Sequence, residues 1–422
     1  MQPRLLVLSN GHGEDLIALR VIEALHHIRP DVDVRVLPLV GDGGVFAAAE
    51  ARGLLARLGP QARLPSGGFS NQSLRALMAD LAAGLASLSW QQLRLVRRWG
   101  HSGAPVLAVG DLLPLLMAWL AGGPYGFIGT PKSDYTWATP AAGGLTGPSD
   151  GYHRCKGSEW DPWEWRLMAG RRCRLVAVRD GLTARGLRRH GVAALDPGNP
   201  MMDGFRHRPL PASLQQRRRL LLLPGSRMPE ALGNLERLLS ALGDGPPHGA
   251  RLSLLLPTGS QPTPQQIAPI LLRLGFRPLV VDADPPAAAR WGRDRLELLV
   301  GPGTFPEWAP WAELGLACAG TATEQLTGLG CPALSLPGPG PQFTPGFARR
   351  QSRLLGGAVQ ACGGPVELRD RLATLLADDA LRHRLGDRGR RRMGAAGGSA
   401  RLAALVTERL LVPPGGGTSS QG

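Results

Sequence analysis

The chain has 422 residues, 43% of them apolar and 19% charged, which is enough to fill two hydrophobic cores and excludes a disordered chain. The formal charge of +15 favours anionic partners such as nucleotides or an acidic membrane face. Only Lys132 and Lys156 are lysines among the 48 basic residues, however, and 58 glycines and 38 prolines point to biased composition as much as to a selected patch.

The N-terminus offers one arginine and the apolar run Leu5–Leu8, shorter than the roughly 7–15 residues of a secretory signal, and is read as a strand. Further strands are expected at Val32–Leu37, Val106–Val109, Gly126–Ile128 and Leu175–Val178, several with helical patterns between them, which is the rhythm of parallel strands joined by crossover helices. Leu112–Ala121 is apolar but contains Pro114 and is about half the length that spans a bilayer, so no membrane span is expected. Residues 130–165 interrupt the rhythm with Trp137, Trp160, Trp163 and Trp165 among many glycines, and are expected to form an irregular loop or lid. Pro209, Pro211 and Arg217–Arg219 mark a linker at 206–219.

The rhythm restarts with Leu220–Leu223, Leu252–Leu256, Leu279–Val281, Leu296–Val300, Leu314–Cys318 and Ala333–Leu336, so a second lobe repeats the first. Helical patterns at Leu368–Leu376 and Leu381–Met393 lead to a C-terminal helix within 399–411 and a Gly/Ser-rich tail at 412–422, expected to be disordered. The lobes are therefore bounded at 1–205 and 220–398. Five cysteines (Cys155, Cys173, Cys318, Cys331, Cys362) form no C-x-x-C pair, which argues for a reducing cytoplasm. The arginine runs lack interleaved aromatics; they read as solvated faces or anionic-lipid contacts, and specific nucleic-acid binding is disfavoured.

Three strand-to-helix turns carry candidate chemistry. Asn10, Gly11, His12, Gly13, Glu14 and Asp15 follow the first strand, where glycines let backbone N–H groups approach a ligand; Glu14 and Asp15 also suit the positive end of the next helix. Pro224, Gly225, Ser226 and Arg227, with Glu230 in the next helix, place an arginine fork beside a helix start, as a pyrophosphate requires. Ala319, Gly320, Thr321, Ala322, Thr323, Glu324 and Gln325 combine a small-residue anion turn with a glutamate able to accept bonds from sugar hydroxyls.

These segments resemble those of lipid-A-disaccharide synthases and, more loosely, undecaprenyl-diphospho-muramoylpentapeptide N-acetylglucosaminyltransferases. Gly198–Asp203 resembles the segment that ends their N-terminal lobe, Arg349–Gln351 the segment whose glutamine reaches the donor, and Val109–Asp111 the place of an aspartate considered a general base. The resemblance implies a metal-independent GT-B glycosyltransferase: α/β, two Rossmann-like lobes across a cleft, a UDP-sugar as co-substrate without a further cofactor, and a lipid-like acceptor at the inner face of the membrane. It implies Asp111 as base, and Gly225, Ser226, Arg227, Glu230, Gly320, Thr321, Thr323, Glu324, Gln325 and Gln351 at the donor; His12 and then Asp15, in the loop after the first strand, are the next candidates for the base. Asn10, Gly11 and Gly13 fall in the acceptor loop. That loop departs from the synthases' Gly-Glu-Ala-Ser-Gly-Asp pattern, so a sugar-nucleotide 2-epimerase or a non-catalytic nucleotide-sugar binder remains open.

Overall fold

The computed structural model describes residues 2–59, 85–139, 148–243, 251–280, 284–338 and 343–412. The chain divides into two compact units: Met1–Asp134 with Gly151–Asp203 and Ala396–Gly422, and Tyr135–Asp150 with Gly204–Ala395. The expected disordered tail beyond Val412 lies outside the described residues.

The first unit is built on a sheet of β1 (Arg4–Ser9), β2 (Asp33–Pro38), β3 (Ala56–Arg57), β4 (Val106–Gly110), β5 (Tyr125–Gly129), β6 (Cys173–Val178) and β7 (Ala194–Leu195). All pairs are parallel, in the order β3-β2-β1-β4-β5-β6-β7. A parallel sheet is covered on both faces, which is why Leu5–Leu8 is an unbroken apolar run and not an alternating one; all four side chains are fully buried. Helix Leu85–His101 passes so close to the end of helix Leu112–Leu120 that a Cβ on Gly100 would lie 1.9 Å from the Ala121 carbonyl oxygen. No helix among the described residues is long and apolar enough to cross a membrane.

The C-terminal segment belongs to this first unit. Helix Gly398–Val406 starts earlier than the sequence pattern implies and ends in a wider π-type turn, Thr407–Leu411. Its start is locked by Asp203: Oδ1 accepts from the Gly397 N–H, and Oδ2 from the Ser399 N–H at 2.8 Å. Gly398 has no room for a side chain, since a Cβ would stand 2.7 Å from the Asn199 carbonyl carbon. At the other end, Leu410 packs over Gly126 in the sheet.

The second unit carries β8 (Arg218–Leu223), β9 (Leu252–Thr258), β10 (Arg277–Leu279), β11 (Ala289–Arg293), β12 (Leu296–Pro302), β13 (Leu314–Ala317), β14 (Ala333–Ser335) and β15 (Val359–Ala361). Their order is β10-β11-β12-β9-β8-β13-β14-β15, with β10 and β11 antiparallel and the rest parallel. Successive side chains take opposite faces. Leu220, Leu222, Leu254, Leu256, Leu314 and Leu316 therefore join one core, while Leu221, Leu223, Leu255 and Leu299 join another.

Three local expectations change. The stretch expected to be a linker, 206–219, contains helix Ala212–Gln215 and the first two residues of β8. The strand expected at Leu279–Val281 ends at Leu279, because Arg277–Leu279 is an exposed edge pairing antiparallel with β11, and Val280 is 85% exposed. The expected irregular lid at 130–165 contains helices Tyr135–Ala138, Pro148–Lys156 and Pro162–Met168. Asp161 and Glu164 form a reciprocal capping box around Pro162, and the fully buried Glu164 carboxylate pairs with Lys132 at 2.6 Å. Trp160 is likewise fully buried, edge-on to Phe127 at 5.5 Å, and Trp165 stacks on His190 at 3.6 Å. These tryptophans are core, whereas Trp163 is 54% exposed.

The middle of that segment, Tyr135–Asp150, belongs to the second unit. Arg353, on helix Pro345–Leu354, forks onto the Asp150 carboxylate at 2.8 and 3.0 Å and donates to the Thr139 and Trp137 carbonyls at 3.0 and 3.3 Å. The Arg392 guanidinium lies 3.7 Å over the Tyr135 ring.

Candidate functional site

In each unit the first strand sits at the point where the strand order reverses: β1 lies between β2 and β4, and β8 between β9 and β13. Helices following strands on either side of such a point run to opposite faces, so a crevice opens at the carboxyl ends of the two central strands, where ligands of open α/β sheets bind. The topology singles out the turns after β1 and β4 in one unit, and after β8 and β13 in the other.

After β1 the chain turns through Gly11, at φ +116°, into helix His12–Ile28. Asn10 donates to Asp111 Oδ1 at 2.7 Å, and the same oxygen accepts from the Leu113 N–H at 3.1 Å, so Asp111 caps helix Leu112–Leu120. Both bonds fall on Oδ1. Gly110, at φ +136°, provides floor for the neighbouring loop: a Cβ there would meet Asn10 Cβ at 3.2 Å and Glu14 Cγ at 3.3 Å. Thr130 follows β5, one strand further along, and its buried hydroxyl lacks a well-formed hydrogen bond although it lies close enough to Glu14 to favour its charged form.

The electrostatics are uneven. A helix N-terminus favours carboxylates, yet burial outweighs it here: Glu14 is pushed up to about 7, chiefly by loss of water and further by Asp111 and Asp15. Asp15 is pushed up to about 6 by burial, opposed by bonds from the Ser9 hydroxyl and the Gly11 backbone. Only 1% of Asp15 is exposed, so this candidate for the base does not reach solvent and supports the turn from inside. The His12 backbone starts the helix; its side chain, the other candidate, lies outside the described residues. The sequence marks Glu14 only as a helix-dipole partner, since it shows the charge and not the depth of burial.

In the second unit Gly225 adopts φ +97°, a conformation cheap only for glycine. A Cβ there would stand 3.7 Å from the Cys318 carbonyl oxygen, so the turns after β8 and β13 abut. Ser226 is exposed; Arg227 and Glu230 are half-buried. Burial lowers the Arg227 pKa and Glu230 opposes the shift. Asn234 donates to the Pro224 carbonyl at 3.0 Å, fixing the turn from below.

Helix Thr321–Gly328 begins at Gly320 with no side-chain cap, leaving its first N–H groups for a ligand or water. Thr321 is exposed and Glu324 half-buried. Thr323 and Gln325 are buried, and the Thr323 hydroxyl donates to the Ala319 carbonyl at 2.7 Å, so these two brace the turn. Gln351 braces it from behind, donating to the Gly320 carbonyl at 3.0 Å while its buried Oε1 is unpaired. The structure thus brings Gly225, Arg227, Gly320, Thr321 and Glu324 together in the turns after β8 and β13, with Gln351 buried behind them, and Asn10, Gly11, Glu14 and Asp111 together in the turns after β1 and β4, with Asp15 buried beneath. Among the described residues no group of three His, Cys, Asp or Glu side chains could hold a metal ion.

No family model and no curated protein matches the sequence. Solved structures do match over nearly the whole chain. The calicheamicin glycosyltransferase CalG4 aligns with a TM-score of 0.60 at 15% identity, covering 98% of this chain and 100% of its own. A proposed UDP-N-acetylglucosamine 2-epimerase from Listeria monocytogenes aligns at 0.58 and 13%, covering 97% and 96%. MurG of Acinetobacter baumannii aligns at 0.53 and 16%, covering 96% and 99%. At such identities the likeness is one of fold: two Rossmann-like α/β domains, as in GT-B glycosyltransferase structures.

Proposed function

We propose that this protein is a glycosyltransferase that moves a sugar from a UDP-sugar, UDP-N-acetylglucosamine or an acylated relative, to a lipid-linked acceptor. The observation that carries the reading is the meeting of the Arg227 turn with the uncapped helix start at Gly320, at the switch point of the second unit. An arginine fork and aligned N–H groups neutralise the charge that builds on a departing diphosphate, with no metal invoked. Glu324 holds ribose hydroxyls and Ser226 a phosphate oxygen. In the first unit a carboxylate of the turns after β1 and β4, where Glu14 and Asp111 stand together, takes the proton of the acceptor hydroxyl as it attacks the anomeric carbon.

A peripheral position on an anionic cytoplasmic membrane face is part of the proposal. Exposed Trp90, Leu116 and Trp119 in the first unit, with exposed Arg97 and Arg98 and with Arg94 and Arg172 beside the two tryptophans, support it. Mass spectrometry of a bacterial lipid extract treated with the protein and isotope-labelled UDP-N-acetylglucosamine tests the transfer. A lipid product heavier by one sugar is expected, and its absence across UDP-sugars counts against a lipid acceptor. Epimerisation is the second reading, favoured by the likeness to the Listeria protein; it gives a changed UDP-sugar with no acceptor present. A non-catalytic binder would give neither product.

A further inference from the structure

We propose that Glu14 is the group that accepts the acceptor's proton, and that Asp111 beside it is a positioning residue. This deepens the transfer reading and rests on it. Asp111 is committed: its Oδ1 caps helix Leu112–Leu120 and receives the Asn10 amide. Glu14 is bonded to its own backbone at the helix start but has no ion pair among the described residues, and its side chain lies against Gly110, at the carboxyl ends of β1 and β4.

A buried hydroxyl faces the same carboxylate. Thr130, 9% exposed, turns its hydroxyl toward Glu14 without a well-formed hydrogen bond. A buried hydroxyl left in this way costs on the order of 1–3 kcal/mol unless a partner arrives; the ionised Glu14 carboxylate, whose charge it favours, or a bound hydroxyl supplies one. The charged groups facing Glu14 are Asp111, from the turn after β4, and Asp15, from its own helix, and both disfavour its charge. Asp15 is itself held against Ser9 and Gly11. Among these neighbours no cation restores an ordinary carboxylate, and burial puts Glu14 at about 7, where a general base works best near neutral pH.

The step balances as follows. A lone pair of the acceptor oxygen forms the bond to the anomeric carbon. The bond from that carbon to the β-phosphate oxygen breaks, and its electron pair leaves on UDP. The hydroxyl proton passes to a Glu14 Oε atom and is later lost to solvent.

The test is UDP release from UDP-N-acetylglucosamine by the full-length protein between about pH 5.5 and 8.5, with water alone and with a bacterial polar-lipid extract. Wild-type kcat/KM should rise about tenfold per pH unit and level off near 7. Glu14→Gln should lose roughly 10²–10⁴-fold at the plateau and lose the rising limb, while circular dichroism and UDP binding by calorimetry stay as in wild type. Glu14→Asp should restore part of the rate. Asp111→Asn should move the limb to lower pH, because a like charge is removed, whereas a purely capping role would leave it in place. His12→Gln removes the other candidate base of the loop, and should keep the limb. An active wild type whose limb survives Glu14→Gln, or vanishes in His12→Gln, overturns the role of Glu14 and leaves the transferase reading standing. A wild type that releases no UDP under either condition overturns both.

Discussion

Asp203 holds the C-terminal helix to the first unit through two backbone N–H groups, those of Gly397 and Ser399, one on each carboxylate oxygen. Replacing it with asparagine keeps the shape but turns one acceptor into a donor that faces a donor. One charged hydrogen bond is lost and the other loses its charge. Bonds to charged groups are worth about 1.5–3 kcal/mol and neutral ones about 0.5–1.5, so Asp203→Asn should cost roughly 2–4 kcal/mol. For a unit of about 150–250 residues each kcal/mol moves the melting temperature by about 2–4 °C, which gives a fall of roughly 4–16 °C. Differential scanning calorimetry measures the fall. Trypsin should also cut at Arg401 and Arg409 sooner than in wild type, since the helix that carries them has lost its lock. A transition within a degree of wild type and unchanged protection at both arginines would refute the reasoning.

The second unit gives two further tests. Arg227→Ala removes a charge-assisted contact worth about 1.5–3 kcal/mol, so UDP should bind roughly 10–150-fold more weakly by calorimetry with an unchanged melting temperature; unchanged affinity would remove Arg227 from the site. Gly389→Ala would place a Cβ 2.4 Å from the Thr327 carbonyl oxygen, pushing helix Asp379–Met393 off the helix that starts at Gly320. UDP affinity and stability should fall together, and a loss of neither would show that the two helices tolerate separation. In the first unit, Asp15 has its folded pKa raised from 3.8 to about 6, so the folded form holds the proton more tightly than the unfolded one. Stability from this group is present below about pH 4 and is lost as pH rises to about 6, a penalty on the order of 3 kcal/mol at neutral pH. Asp15→Asn should therefore stabilise the protein in urea unfolding at pH 7.5 and much less at pH 4.5, and an equal effect at both would contradict the burial assignment.

Fold type is legible where it rests on local pattern. The apolar runs Leu5–Leu8 and Leu220–Leu223 lie in the central strands they imply, and the turns after them are the ones that the strand order brings to the crevices. What the sequence hides is set by partners far away in the chain. Ala289–Arg293 reads A-R-W-G-R, with no apolar run or alternation, and becomes a strand because β12 pairs with it. Chain order places Tyr135–Asp150 with the N-terminal lobe, but the Arg353 fork, about 200 positions away, makes it part of the second unit. Asp203 is visible in the sequence only as the end of a family-like segment; its partners at Gly397 and Ser399 give it a physical role. Glu14 and Asp15 stand side by side in the sequence with the same charge, and only the fold shows that burial raises the pKa of both and seals Asp15 from solvent.

Proton NMR of UDP-N-acetylglucosamine incubated with the full-length protein, with and without a bacterial lipid extract, tests the central claim most directly. Sugar transfer predicts free UDP growing in as the anomeric signal of the donor disappears, faster with lipid present, with no second UDP-sugar formed. A new UDP-sugar appearing without lipid, or a spectrum unchanged in both samples, would contradict it.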